Sequence, residues 1–91
     1  MNSNLPTIEL VSFTLTLAGS ASVNQAVTIS NPDQLVPVAI LTPDSAVCLH
    51  IVNYWISSSG TAIAMQIVNQ GASISSKTVI VKFLRVPSLS S

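Results

Sequence analysis

Apolar and polar residues alternate with a period of two along most of this chain. Apolar residues occupy the odd positions from Val11 to Leu17, and serine or threonine occupies the even positions between them. Similar alternation follows from Val23, whereas from Ala62 and from Thr78 large apolar residues recur at odd positions with mostly apolar residues between them. Successive side chains of a strand point to opposite faces, so the pattern predicts half-buried strands with their polar side chains outward. No segment of helical length shows a 3.6-residue stripe.

Two segments are apolar on both faces. The run Leu35–Leu41 contains no polar side chain, and alternation over Ala46–Ile56 leaves neither face plainly polar. A strand in a two-layer sandwich buries only one face, so the second face is predicted to contact another chain. Pro37 lacks an N–H and therefore marks an edge, a bulge or a strand start. The candidate interface residues are Val36, Val38, Ile40, His50, Val52, Tyr54 and Ile56.

Short segments rich in Gly, Pro, Asn and Ser separate the predicted strands, and each is typical of a turn or loop. The segment Asn69–Gly71 predicts a hairpin turn with Gly71 at positive φ. The predicted fold is all-β: a small antiparallel β-sandwich of about six strands. It forms one domain over residues 1–91, in which residues 1–7 and 87–91 are extended tails that we expect neighbouring chains to hold.

Charged residues are scarce. They make up 7% of the 91 residues against 48% apolar residues, and the formal net charge is zero. Serine and threonine supply 22 positions instead. One explanation is a neutral surface covered by hydroxyl groups. The explanation that we favour is that subunit interfaces, whose cores are depleted of charge, cover much of the surface.

Composition also argues against several partners. Three scattered cations cannot form the basic patch that nucleic acid requires. The longest apolar run has seven residues, far fewer than the roughly 20 that a membrane span needs. Cys48 is the only cysteine and cannot form a disulfide within the domain. We therefore expect no nucleic acid, no membrane and no covalent cross-link.

His50 and Cys48 are the residues with the most reactive side chains. They are expected to share a strand face, but a structural zinc site needs four ligands, so no metal site is predicted within one chain. A three-fold axis that passes beside this strand would bring three copies of His50 together, whereas the simpler interpretation is a histidine packed at an interface or hydrogen-bonded on a strand. A hydrolytic triad could be assembled from His50, a serine and Asp33 or Asp44, but no nucleophile-elbow motif in the sequence supports it. We expect no enzyme activity and no cofactor.

A sugar site is the other candidate. An aromatic ring that stacks on a pyranose, flanked by amide and hydroxyl donors, is typical of such sites. Tyr54 and Trp55 point to opposite faces of a strand, so both cannot contact one ligand. The alternative is that one ring lies in the core and the other in a subunit contact. The candidate ligand residues are Asn53, Trp55, Ser57, Ser58 and Ser59.

Three segments carry a family resemblance. VTISNPDQLVPVAIL, HIVNYWISSSGTAIAMQIVNQGAS and TVIVKFLRV resemble the H-type lectin-like module of phage tail fibres. The chain differs from that pattern at Thr61, where a bulky aromatic residue is usual, and at Phe83, where tryptophan is common. We therefore carry over no sugar-binding residue. The resemblance implies a six-stranded sandwich that packs as a trimer around a three-fold axis.

The same sandwich is similar to the trimeric decoration (cement) proteins of phage capsids, and a 91-residue chain starting at Met1 fits such a product. We expect a homotrimeric structural protein, made in the host cytoplasm and located in the virion, that stabilises the capsid through contacts with the major capsid protein. The alternative is a carbohydrate-binding tail-fibre tip that recognises a host glycan.

Overall fold

The computed structural model describes residues 5–42 and 44–87. Within these ranges the chain forms six strands and one 3₁₀ turn, Pro32–Gln34, and it has no α-helix. The prediction of an all-β fold is therefore confirmed. The strands are β1 (Thr7–Leu17), β2 (Ser22–Thr28), β3 (Leu35–Leu41), β4 (Leu49–Ile56), β5 (Ala62–Asn69) and β6 (Ile74–Arg85).

The strands form two antiparallel sheets of three strands each. Sheet I has the order β1-β6-β3 and sheet II has the order β2-β5-β4. Only β4 and β5 are consecutive neighbours in one sheet, and every other connection crosses between the sheets. The predicted hairpin at Asn69–Gly71 is therefore wrong, because this segment leads from β5 in sheet II to β6 in sheet I. Gly71 does not have positive φ either; among the described glycines, Gly60 does, at 74°.

The core lies between the two sheets. Alternation places one face of each central strand inward, and the inward side chains of β5 and β6 are fully buried. Burying a large apolar side chain contributes about 1.5–3 kcal/mol, so this layer supplies most of the stability. The fully buried apolar residues are Ile63, Met65, Ile67, Val79, Val81 and Phe83. As predicted, Leu15, Leu17 and Val27 also face inward.

Asn69 closes one end of the sandwich. Its side chain is completely buried, and its Nδ2 donates hydrogen bonds to the carbonyl oxygens of Leu17 (3.3 Å) and Ala72 (2.8 Å). Its Oδ1 accepts a hydrogen bond from the N–H of Gly71, at 2.9 Å. One amide therefore satisfies polar backbone groups from β1 and from the β5–β6 connection; the bond to Leu17 is buried and the other two are partly buried.

Gly71 allows two backbone segments to approach each other closely. A Cβ at this position would lie 2.5 Å from the carbonyl oxygen of Ala46 and 2.7 Å from the amide nitrogen of Cys48. No side chain fits there, so glycine is needed for space and not for a positive φ. The connections before β4 and after β5 thereby pack together.

The edge strands β3 and β4 form one side of the sandwich, which we call the open edge, and each contains a β-bulge. In β3 the register with β6 shifts between Pro37 and Ala39, and in β4 the register with β5 shifts between Ile51 and Asn53. A bulge adds one residue and reverses which face the following side chains occupy. The strict alternation predicted for 46–56 is therefore wrong after Ile51. The prediction that Pro37 marks an edge or a bulge is confirmed.

β1 and β6 of sheet I are longer than alternation alone predicted. β1 begins at Thr7, four residues before the alternating segment, and β6 begins at Ile74. Of the predicted tails, residues 1–4 and 88–91 lie outside the described residues.

We predict that Asn69→Ala lowers the free energy of unfolding by about 2–3 kcal/mol, because it removes the side-chain partner of one buried and two partly buried backbone groups. Asn24→Ala is the matched control, since Asn24 is an exposed residue of the same sheet, and it should change stability by less than about 0.5 kcal/mol. Urea unfolding followed by Trp55 fluorescence measures both. Equal effects of the two substitutions would contradict this role of Asn69.

Candidate interaction surfaces

The outer face of sheet I carries three rows of side chains, because residues paired across antiparallel strands point to the same face. Seven of the nine positions are apolar. The first row is Ile8, Leu84 and Val36, the second is Leu10, Lys82 and Ala39, and the third is Ser12, Ile80 and Leu41. We call these nine residues the apolar outer face.

The apolar outer face is open to solvent in the single chain. Leu10 is 62% exposed, Ile8 55% and Leu41 46%. Strands about 4.8 Å apart and rows about 7 Å apart give it an area of roughly 300 Å². Contiguous apolar patches of this size on a monomer are often functional. Lys82 is the only charged residue among the nine, and its long side chain can lie along apolar neighbours.

A groove adjoins this face at the open edge of the sandwich. It has a volume of about 380 Å³ and runs between the edge strands β3 and β4. Its lining includes Ile40, Ile51 and Tyr54, and none of its lining residues carries a permanent charge. Edge strands present unpaired backbone groups, and the two bulges disturb the regular edge that would pair with another strand. The residues lining the groove are Pro37, Val38, Ala39, Ile40, Leu49, His50, Ile51 and Tyr54.

The bulges divide the candidate interface residues among different surfaces. Val36 lies on the apolar outer face, whereas Ile40 packs against the core. Val38 and Val52 are the extra residues of the two bulges and are 55% and 57% exposed. His50 lies on the outer face of sheet II. Tyr54 and Ile56 pair with the core residues Met65 and Ile63, yet they remain 43% and 37% exposed at the open edge.

The candidate ligand residues lie on and beside the outer face of sheet II. Asn53 and Trp55 share that face, and Trp55 is 39% exposed. The loop hydroxyls bond one another instead: Ser57 Oγ lies 3.1 Å from Ser59 Oγ, which lies 2.8 Å from Thr61 Oγ1. These contacts hold the Gly60 turn in shape.

Cys48 immediately precedes β4, and its exposed thiol contacts His50 on that strand, so the two side chains share a face as predicted. The Sγ of Cys48 lies 3.2 Å from Nε2 of His50. Within residues 5–42 and 44–87, no three His, Cys, Asp or Glu side chains are grouped closely enough to bind a metal ion.

Arg85 fastens the β2–β3 connection to sheet I. Its guanidinium forms an ion pair with Glu9 on β1, in which Nη2 lies 3.1 Å from Oε1. The same group donates hydrogen bonds to the carbonyl oxygens of Ser30 (3.0 Å) and Asn31 (3.1 Å). The hydrogen bond from Arg85 lowers the pKa of Glu9, although desolvation opposes the shift. The Glu9 carboxylate raises the pKa of Arg85 in turn.

The residues before Val11 could have predicted the apolar outer face, but the alternating pattern that predicts β1 begins only at Val11. Ile8 and Leu10 are apolar at even positions, whereas the core residues of the same strand occupy odd positions from Val11. Apolar residues at both even and odd positions of one strand place apolar side chains on both of its faces, which indicates that both faces are covered. Leu84 completes the row but was not among the candidate interface residues.

No protein-family model, curated protein or solved structure matches this chain. The described part of the chain contains no helix that is long and apolar enough to cross a membrane.

We predict that Glu9→Gln lowers stability at pH 7 by about 0.5–1 kcal/mol, because it removes the charge from a partly exposed ion pair. The lowered pKa of Glu9 means that the native chain gains stability from the carboxylate above the pKa of an unfolded glutamate. That gain is lost as the pH falls through the lowered, folded-state pKa.

Urea unfolding at a fixed chain concentration, at pH 7 and again at pH 2.5, measures the effect. The difference between the native chain and the variant should shrink at the lower pH, where a larger fraction of Glu9 is protonated. A difference that stays constant would show that the charge of Glu9 is not its cause.

Proposed function

We propose that this chain is a structural protein of a phage virion, which forms a homotrimer and acts as a capsid decoration protein through protein–protein contacts. The observation that carries the proposal is the apolar outer face, which lies on the opposite side of sheet I from the core.

Its geometry suits association with other protein chains. A standard interface buries about 800 Å² on each partner and combines an apolar core with a polar rim. The apolar outer face would supply such a core. The exposed hydroxyl residues Ser12, Thr14 and Thr78 lie at its end and suit the rim, because they can be covered without burying a charge.

The distribution of charge favours copies of the same chain as partners. Glu9 and Arg85 neutralise each other at the edge of the core, and Lys82 is the single charge on the apolar outer face. Like-charge repulsion, which normally keeps copies apart, is therefore weak. The virion location and the three-fold symmetry rest on the resemblance of the three sequence segments to phage modules, and the major capsid protein is the further partner that this resemblance implies.

A carbohydrate-binding tail-fibre tip is the second candidate. One observation favours it: Trp55 presents an exposed ring next to the Asn53 amide on the uncharged outer face of sheet II. This surface is on the opposite side of the sandwich from the apolar outer face, so both functions are compatible in one molecule.

We predict that Leu10→Lys shifts the chain from trimer to monomer, because it places a second charge beside Lys82 in the middle row of the apolar outer face. Light scattering should give about three times the 9.5 kDa chain mass for the native protein. The variant should give a single chain mass, with a native β-sheet circular dichroism spectrum because Leu10 is largely exposed in the single chain.

Asn24→Lys is the matched control, since Asn24 is an exposed strand residue on the outer face of sheet II, on the opposite side of the sandwich from the apolar outer face. It should leave the trimer intact. A native chain that stays monomeric at micromolar concentration would overturn the self-association proposal. Density for the chain on the capsid in electron micrographs of whole particles tests the virion location separately.

A further inference from the structure

A second concave surface lies at the end of the sandwich opposite Asn69. The segment that follows β2 and the turn that precedes β5 border an open depression with a volume of about 450 Å³. We call it the loop cleft. Ligand pockets for small molecules have volumes of about 300–1,000 Å³, so a sugar unit fits. The cleft is lined by Thr28, Ile29, Ser30, Asn31, Gly60 and Thr61.

Backbone contacts fix the shape of the loop cleft. The N–H of Ile29 donates to the carbonyl oxygen of Thr61 at 3.0 Å and joins its two walls. Arg85 holds the carbonyl oxygens of Ser30 and Asn31 from behind. Asn31 has φ of 51°, a left-handed conformation that asparagine tolerates better than most residues. The walls are therefore ordered before any ligand arrives, which reduces the entropy cost of binding.

The cleft presents neutral hydrogen-bonding groups. The Thr28 and Ser30 hydroxyls and the Asn31 amide form no hydrogen bond through their side chains within the described residues. No lining residue is charged, and the nearby Arg85 guanidinium is already bonded to Glu9 and to two carbonyl oxygens. An ionic ligand would find no free counter-charge, whereas hydroxyl groups would find both donors and acceptors.

The register of sheet II connects the cleft to Trp55. Thr28 pairs with Ala62 in one row, and Ala26, Ala64 and Trp55 form the next row on the same outer face. The three alanines between Thr28 and Trp55 present nothing larger than a methyl group. Ala26 is exposed, whereas Ala62 and Ala64 are buried, so hydrogen-bonding groups and the Trp55 ring lie at two ends of one short stretch of this outer face.

We propose that the loop cleft binds a neutral oligosaccharide. One sugar unit lies in the cleft, with its hydroxyls bonded to Thr28, Ser30 and Asn31, and a neighbouring unit stacks on the indole of Trp55. Apolar sugar faces pack on aromatic rings while their hydroxyls require polar partners, and the surface offers both. The proposal rests on the carbohydrate-recognition candidate and does not depend on self-association.

The experiment uses the full chain on an array of neutral and acidic bacterial oligosaccharides, followed by a ¹H–¹⁵N NMR titration with the best neutral ligand. The proposal predicts binding to neutral glycans. It also predicts chemical-shift changes at the amides of residues 28–31 and 60–61 and at the indole N–H of Trp55.

Asn31→Gly is the diagnostic variant, because glycine keeps the positive φ and removes the amide. It should weaken binding about five- to tenfold, the equivalent of one lost hydrogen bond. Ser20→Gly is the matched control, since Ser20 also has positive φ (62°) but lies at the other end of the sandwich; it should bind like the native chain.

The proposal would be overturned if the array showed no binding or a preference for acidic glycans. It would also be overturned by chemical-shift changes confined to other surfaces, or by equal affinity of Asn31→Gly and the native chain. The oligomeric state, measured on the same samples, separates these outcomes from a failure of the self-association proposal. A chain that binds neutral glycans as a monomer supports the cleft alone.

Discussion

One constraint dominates this molecule: its strands have more apolar faces than two sheets can bury against each other. The inner faces of both sheets meet in a core where six apolar side chains are fully buried. Sheet I has a second apolar surface on its outer side, and no element of the described chain packs over it. Leaving that surface in water forgoes stabilisation of about 25 cal/mol per Å². Association with other chains recovers it, and this is the physical basis of the proposed structural role.

Much of the fold could be predicted from period-two alternation. The inward positions of β1 and β2, the turns and the number of strands follow from where apolar residues recur. The pairing of strands did not follow, because the connections that cross between sheets look locally like hairpin turns. Asn69–Gly71 is the clear case: an Asn-x-Gly sequence suits a hairpin, but here the asparagine is a buried hydrogen-bonding residue and the glycine provides space.

The candidate surfaces were harder to predict, and the two bulges are the reason. Strict alternation assigns Val36, Val38 and Ile40 to one face of β3. Because Val38 is the extra residue of a bulge, Val36 and Ile40 lie on opposite faces. Val52 separates His50 from Tyr54 in the same way. A bulge depends on the partner strand and leaves little trace in the local sequence. The inference that β3 carries apolar residues on both faces agrees with the structure. The structure adds Ile8, Leu10 and Leu84 to the apolar outer face.

Hydroxyl-radical footprinting tests most directly whether other copies cover the apolar outer face. Leu10 and Val52 are similarly exposed in the single chain, at 62% and 57%. In concentrated native protein, Leu10 and Ile8 should be protected from oxidation while Val52 is labelled, and dilution below the association range should remove the difference. Oxidation of Leu10 as extensive as that of Val52 at every concentration, after correction for their intrinsic reactivities, would contradict the account.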